Sequence, residues 1–342
     1  MGTATLETTH KHAPQTLGRV LILGLGKSGQ AAARYCANLL GGRVHELYVA
    51  AGVPSAASEA FARELAAVGA TVAFGDEALQ TFADAAPFDI CIASPGISEL
   101  SDLYLRAQSL SDEIMSEVEF AWRESAPEST WIAISGTNGK TTVTSLIAHL
   151  LQVAGQRAAA VGNIGDTCLD AVAARTTDVY VAEVSSYQLA STIDFAPRVA
   201  VLLGITPDHL IWHGSYEAYQ AAKFKLFANV VNTTDAFAIL DATNDIVRAR
   251  VRQLKAIPAD ERGFDYVPVG TAQGYSGDMR AACGSANAAF VSATGTLTVV
   301  IDGVEHELLS ADELQIVGEH NVANALMAAS AVLALGVDAA TV

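Results

Sequence analysis

Short apolar runs bounded by turn residues recur along the chain, separated by stretches whose apolar positions follow a helical period. The first, RVLILGLG, passes through a glycine turn at Gly24, Gly26 and Gly29 into the Ala-rich helical pattern QAAARYCANLL. VHELYVA, TVAFG and DICIAS supply three more compact runs, spaced by patterns such as SEAFARELAAVG. Alternation of this kind predicts a parallel sheet with helices on both faces. DEIMSEVEFAWRES then reads as one closing helix and APEST as a linker, which places a boundary near residue 126. The same logic restarts at TWIAIS and continues through DVYVAEV, RVAVLLGI and AFAIL, as expected for central strands covered on both faces. Between Gly270 and Glu313 the texture changes. AAFVSATGTLTVVIDGVEHELL alternates and turns at TGT and DGV, which predicts a small antiparallel β-insert. GEHNVANALMAASAVLALGV closes the second unit, 127–342, as a helix.

Composition supports a large globular chain. Of 342 residues, 51% are hydrophobic and 17% charged, enough for a sizeable core and more than one domain. A net charge of −17 argues against nucleic acid as a partner, because clustered Lys and Arg carry that binding. Any anionic substrate must be held locally, by helix N-termini, a few cations and metal ions. Cys36, Cys91, Cys168 and Cys283 lie scattered in apolar segments without CxxC spacing, which favours reduced thiols and a cytoplasmic protein. No apolar run approaches the ~18–20 residues of a membrane span, so no membrane association is expected. MGTATL fits a myristoylation pattern only superficially, since no polybasic partner accompanies it.

Chemistry concentrates in WIAISGTNGKTTVTSLIAHLL. Gly136 and Gly139 flank Thr137 and Asn138 directly after an apolar strand, and a helical stripe follows from Lys140, Thr141 and Thr142. That order aims free helix N–H groups at whatever sits above the turn, and phosphate is the natural occupant. Ile134 stands where a Walker-type loop has its first glycine. Lys140 would reach β/γ-phosphate oxygens, and the Thr141 hydroxyl could coordinate Mg2+. Glu183 falls at the C-terminal end of DVYVAEV, the edge where open α/β sheets place ligands, and a carboxylate there can bind the same ion. His209 and His213, four apart, are either a metal pair on one helical face or capping and packing residues. Lys223, in YEAYQAAKFKLF, reads as a lysine that snorkels to water. GLGKSG fits a dinucleotide fingerprint, yet Val49, Ala50 and Ala51 stand where the ribose-binding acid belongs. NAD is thereby disfavoured, although the turn could cradle another diphosphate.

Taken together these segments resemble the Mur ligase family, in its D-glutamate-adding branch. The carrying motifs, in order, are GLGKSG, SPGI from Ser94 to Ile97, GTNGKTT from Gly136 to Thr142, and GNIG from Gly162 to Gly165. EVSSYQL from Glu183 to Leu189, TPDHL from Thr206 to Leu210, AAK ending at Lys223, and EHNVANA from Glu319 to Ala325 complete the set. The resemblance spans nearly the whole chain. It implies an α/β protein with a Rossmann-like N-terminal domain, 1–126, that binds a UDP substrate. A P-loop-type, mostly parallel central ATPase domain, 127–342, would carry the β-insert. It further implies a monomeric, cytoplasmic, ATP-dependent ligase of peptidoglycan synthesis and cell-wall biogenesis. Such an enzyme joins D-glutamate to UDP-N-acetylmuramoyl-L-alanine through an acyl phosphate, with ATP and two Mg2+ sites.

Carried over residue by residue, Lys140 would contact the ATP phosphates, with Gly136, Thr137, Asn138, Gly139, Thr141 and Thr142 around them and Asn321 near the nucleotide. Thr141 and Glu183 would hold one Mg2+. His209 would serve the second, together with Lys223, which matches a lysine that the family carbamylates into a metal-binding carboxylate. Gly26, Lys27, Ser28, Ser94 and Gly96 would surround the UDP-sugar, while Asn163, Ser185 and Gln188 would bring its peptide end to ATP. Three departures stand out. Ile211 replaces an Asp common after DHL, an acidic residue near Ala50 is lacking, and the chain ends where the family's C-terminal domain should begin. The resemblance therefore implies a shortened form that binds the UDP substrate, binds ATP weakly if at all, and does not turn over. The alternatives are another Mur ligase, a folate-polyglutamate ligase, which usually has Gly-Ser rather than Thr141-Thr142 after the lysine, or a non-catalytic UDP-sugar- or dinucleotide-binding module.

Overall fold

In the computed structural model, which describes residues 10–75, 77–270, 282–315 and 318–342, two sheets organise the chain. After Arg19 the run VLIL is fully apolar because β1 (Gly18–Leu23) is the central strand of the first, where Leu21, Ile22 and Leu23 have no exposed surface. Around it lie β2 (Val44–Ala51), β3 (Thr71–Phe74), β4 (Phe88–Ala93) and β5 (Ser111–Ser116), in the order β3-β2-β1-β4-β5, all parallel. The crossovers carry α1 (Lys27–Ala37), α2 (Ala56–Ala67), α3 (Ala78–Thr81) and α4 (Asp102–Ser109).

DEIMSEVEFAWRES is not the single helix that its periodicity suggests. Its first half is β5, where Ile114 and Met115 pair with Cys91 and Ile92 at the sheet edge. Helix α5 (Glu117–Glu124) starts only after Ser116, whose hydroxyl caps the Glu119 N–H. Pairing with β4 overrides local helical preference there.

The second sheet has nine strands in the order β14-β13-β12-β11-β10-β9-β6-β8-β7. Its members β6 (Thr130–Ser135), β7 (Ala158–Gly162), β8 (Val179–Glu183), β9 (Val199–Leu202), β10 (Phe237–Asp241) and β11 (Asp265–Val269) all run parallel. The expected antiparallel insert is β12 (Ala288–Val291), β13 (Thr296–Ile301) and β14 (Val304–Ser310). It is not a separate layer: β12 continues the large sheet through β11. Residues 271–281 of that region, and the MGTATL stretch, lie outside the described residues. Helices α6 (Lys140–Val153), α7 (Cys168–Ala174), α8 (Ser186–Ala190), α9 (Leu210–His213), α10 (Tyr216–Phe224), α11 (Asp245–Ala256), α12 (Ala259–Arg262) and α13 (Glu319–Leu333) cover this sheet. Among the described residues no helix is long and apolar enough to cross a membrane.

One core cluster is continuous between the sheets, with Met115, Phe120 and Trp122 meeting Trp131 and Phe195. A polar clasp fixes this junction. Glu119 of α5 has no exposed surface, and its carboxylate accepts from the backbone N–H groups of Ile193 (3.0 Å), Asp194 (3.1 Å) and Phe195 (2.9 Å) and from Arg123 Nε (2.7 Å). Removing it strands three backbone donors, one of them buried and two part-buried, and one guanidinium contact. Glu119→Ala is therefore expected to lower unfolding free energy by about 3–5 kcal/mol in urea titrations followed by tryptophan fluorescence. A loss below about 1 kcal/mol would contradict the clasp.

Candidate functional site

Between β6 and α6 the chain must bend within four residues, and only glycine fits at both ends of the bend. Gly136 (φ 148°) lies so close to Leu203 that a Cβ would sit 2.5 Å from that side chain, and at Gly139 (φ 83°) a Cβ would meet Asn324 Oδ1 at 2.6 Å. Gly139 supplies no side-chain cap, so the first-turn N–H groups of the 14-residue α6 face outward, where they favour an anion. Lys140 folds its Nζ onto the carbonyls of Gly136 (3.0 Å) and Thr137 (2.9 Å), and burial lowers its pKa. Asn138 is exposed at the tip of the bend, and Thr142 lies in the first helical turn. Beside the bend opens a cavity of about 510 Å³, lined by Asn138, Gly139, Thr206, Asp241, His320 and Asn324. Asn321 adjoins it, accepting at Oδ1 from Asn324 Nδ2 (3.1 Å).

At the end of β8, next to β6, Glu183 is 2% exposed. Its Oε2 accepts from the Thr141 hydroxyl (2.8 Å) and its Oε1 from Asn163 Nδ2 (2.8 Å). A hydroxyl and a carboxylate at the mouth of a phosphate-type bend are hard oxygen donors that suit Mg2+. Among the described residues no group of three or more His, Cys, Asp or Glu side chains converges, so any metal would need other ligands as well.

The two histidines part company. His209 takes a left-handed conformation (φ 52°) before α9 begins and remains half-exposed, 3.3 Å from Asp208 and tilted against Tyr187 with ring centroids 4.8 Å apart. His213 is buried, with Nε2 2.9 Å from Ser186 Oγ, and burial together with the charges of His209 and Lys223 pushes its pKa to about 4. Thus His213 is a packing residue rather than half of a metal pair.

Lys223 overturns the snorkelling expectation. It is 2% exposed, and its Nζ donates to Gly136 O (2.8 Å) and Ser135 Oγ (3.4 Å) directly beneath the bend. Burial first, then the Lys140 charge, lowers its pKa to about 7, against the pull of Asp208. Tyr219, one helical turn earlier, was not singled out in the sequence. It lies under the Lys223 ammonium (4.9 Å to the ring centroid) and bonds Thr137 Oγ1 through its hydroxyl (2.9 Å). Its spacing of four from Lys223 on one helix face was the signal.

The remaining residues gather at neighbouring strand ends. Gly26 opens α1 without a side-chain cap, and Lys27 and Ser28 form its first turn. Lys27 Nζ donates to Gly165 O at 2.5 Å, and Gly96 is exposed just past β4. Ser94 is buried and spends its hydroxyl on Gly24 O (3.1 Å), bracing the turn. Ser185 and Gln188 form a reciprocal capping box on α8. The structure thus brings Lys140, Thr141, Asn163, Glu183 and Lys223 around one bend, with His209 at the rim.

A family model described as Mur ligase middle domain matches residues 134–332. The UDP-N-acetylmuramoylalanine–D-glutamate ligase of Streptomyces avermitilis is 34% identical over 343 residues, covering 94% of this chain and 65% of the relative. The enzyme of the same name from Cytophaga hutchinsonii is 32% identical over 323 residues, with the same shares. The chain therefore spans 65% of the length of these relatives. Among solved structures, the UDP-N-acetylmuramate:L-alanyl-gamma-D-glutamyl-meso-diaminopimelate ligase of Neisseria meningitides aligns with a TM-score of 0.57 at 19% identity, over 95% of this chain and 96% of that one. A murein peptide ligase of Psychrobacter arcticus aligns at 0.50 and 19%, over 95% and 67%. These two likenesses concern the fold.

Burial of Lys223 and His213 sets two pH windows. Between about 7 and its ordinary 10.5, Lys223 binds fewer protons folded than unfolded, so its contribution makes stability rise with pH. His213, at about 4 against an ordinary 6.5, makes stability fall as pH drops through that lower range. In urea unfolding across pH, Lys223→Met should flatten the upper window alone and His213→Phe the lower one alone. A constant difference between parent and Lys223→Met from pH 7 to 10 would contradict the buried amine.

Proposed function

The chain belongs to the Mur ligase family, and on that premise we propose that it carries the nucleotide and UDP-substrate sites of a D-glutamate-adding ligase of peptidoglycan synthesis. One observation carries the reading. An uncapped helix N-terminus, a lysine and a Thr–Glu oxygen pair converge on a glycine bend next to a nucleoside-sized cavity. The reaction is the ATP-dependent joining of D-glutamate to UDP-N-acetylmuramoyl-L-alanine. A carboxylate is a poor electrophile until one oxygen becomes a leaving group. Its oxygen attacks the γ-phosphorus and ADP departs; the amine nitrogen then attacks the acyl carbon, losing a proton as inorganic phosphate leaves. Protein work in such a sequence is mainly positioning and charge neutralisation.

In this reading Lys140 neutralises the β/γ-phosphates, with the backbone of Gly136–Thr142 around them, and the cavity with Asn321 takes the nucleoside. Thr141 and Glu183 hold Mg2+, which supplies charge neutralisation at the phosphates when bound. His209 would serve a second ion with Lys223, whose pKa, lowered to about 7, leaves a substantial fraction of the amine neutral near pH 7 and able to add CO2. Gly26, Lys27, Ser28 and Gly96 hold the UDP-sugar, with Ser94 shaping their turn. Asn163, Ser185 and Gln188 orient the peptide end. Residues 1–126 form the UDP-substrate domain and 127–342 the ATP domain, acting as a monomer in the cytoplasm.

Calorimetric titration with Mg2+ and a non-hydrolysable ATP analogue, with UDP-N-acetylmuramoyl-L-alanine, and with NAD tests this assignment. Lys140→Ala should cost about 2–3 kcal/mol of nucleotide affinity, the range of a charge-assisted hydrogen bond, and leave UDP-substrate affinity within about threefold. Unchanged nucleotide binding in that variant, or tight NAD binding by the parent, would refute it.

A further inference from the structure

A hydrogen-bonded chain runs from the glycine turn of the first sheet to the phosphate-type bend of the second. It begins at Lys27, whose Nζ holds the carbonyl of Gly165. Gly165 closes the Gly162–Gly165 turn, which has no slack. Both glycines are left-handed (φ 96° and 60°), and a Cβ on either would meet the backbone oxygen of Glu183 at 2.6 Å or of Ala160 at 2.8 Å. From this turn Asn163 donates its backbone N–H to Glu183 O (3.0 Å) and its side-chain amide to Glu183 Oε1 (2.8 Å). Glu183 Oε2 is taken by Thr141. Both oxygens of the carboxylate best placed for a cation are thus engaged internally, and the ammonium that braces the arrangement is exposed at the start of α1.

Lys27 lies in the first turn of a helix whose N-terminus is uncapped, where the proposed function puts a diphosphate. One ammonium there faces two competing acceptors, a neutral carbonyl and a multiply charged anion. The ammonium gains the attraction of an opposite charge from a phosphate oxygen and only a dipole from the carbonyl, so the diphosphate wins.

We propose that Lys27 is a positioning switch that couples the UDP-substrate site to the nucleotide site. Without the sugar nucleotide, Lys27 pins Gly165 and keeps Asn163 on Glu183. When the diphosphate draws Lys27 away, the Gly162–Gly165 turn is released, Asn163 leaves Glu183, and the carboxylate becomes free to serve Mg2+ beside the nucleotide. The coupling is reciprocal, as any binding linkage must be. It rests on the proposed function and adds a regulation to it.

The test is titration of the full chain with Mg2+ and a non-hydrolysable ATP analogue, with and without saturating UDP-N-acetylmuramoyl-L-alanine. In the parent, nucleotide affinity should rise roughly five- to tenfold when the sugar nucleotide is bound, within the usual span of coupling energies. In Lys27→Met, the protein without sugar nucleotide should already show the raised affinity, a gain that loss of a merely structural contact would not produce. Asn163→Ala should show the same gain from the other end of the chain. Amide hydrogen exchange at residues 162–165 should quicken in the parent on adding the sugar nucleotide. Binding of both ligands without coupling, a Lys27→Met protein whose nucleotide affinity stays at or below the parent's, or unchanged exchange in the turn would each overturn the switch alone. A parent that binds neither ligand would overturn the proposed function and the switch with it.

Discussion

The bend from Gly136 to Gly139 is the constraint on which the rest depends. It is squeezed between Leu203, just past β9, and Asn324 in α13, so the sheet and the covering helix confine its path, and Thr137 and Lys140 tie it from within. Because no side chain caps α6, the helix N–H groups stay free for a ligand. That matters in a chain whose net charge of −17 repels polyphosphate at long range. Attraction has to be local, supplied by the helix end, by Lys140 and by whatever cation the Thr141–Glu183 pair attracts.

Beneath the bend, a second lysine is held without a carboxylate partner within ion-pairing distance among the described residues. Lys223 is fixed by a carbonyl, a hydroxyl and the face of Tyr219, all neutral, and lies in the field of Lys140. Burying a charged amine in such surroundings is costly, and the protein avoids the cost by favouring the neutral form. Tyr219 makes the arrangement coherent, since the same side chain reaches Thr137 in the bend and supports the amine. Helix α10 therefore acts as a floor for the site, while α6 forms one wall.

Much of the architecture was legible because buried parallel strands carry compact apolar runs: β1, β4, β6, β8, β9 and β10 stand out in that way, and β2 does so over its last four residues. The misses have physical reasons. β5 carries a helical period into an edge strand, β7 is mostly Ala, and β11 contains Pro268. In the site, Lys140, Thr141 and Glu183 were placed by local strand–turn–helix order, a short-range feature. The burial of Lys223 depends on a bend more than 80 residues away. That distance is invisible to a residue-by-residue reading. Spacing suggested that His209 and His213 share a face, yet the left-handed backbone at His209 stops the helix before it includes that residue.

A crystal structure of the chain with Mg2+ and a non-hydrolysable ATP analogue decides whether the bend is the triphosphate site. The expected result is a triphosphate lying along Gly136–Thr142, with Lys140 Nζ moved from the Gly136 and Thr137 carbonyls onto phosphate oxygens. A triphosphate docked instead on the Gly24–Gly29 turn, with Lys140 still folded onto those carbonyls, would contradict it.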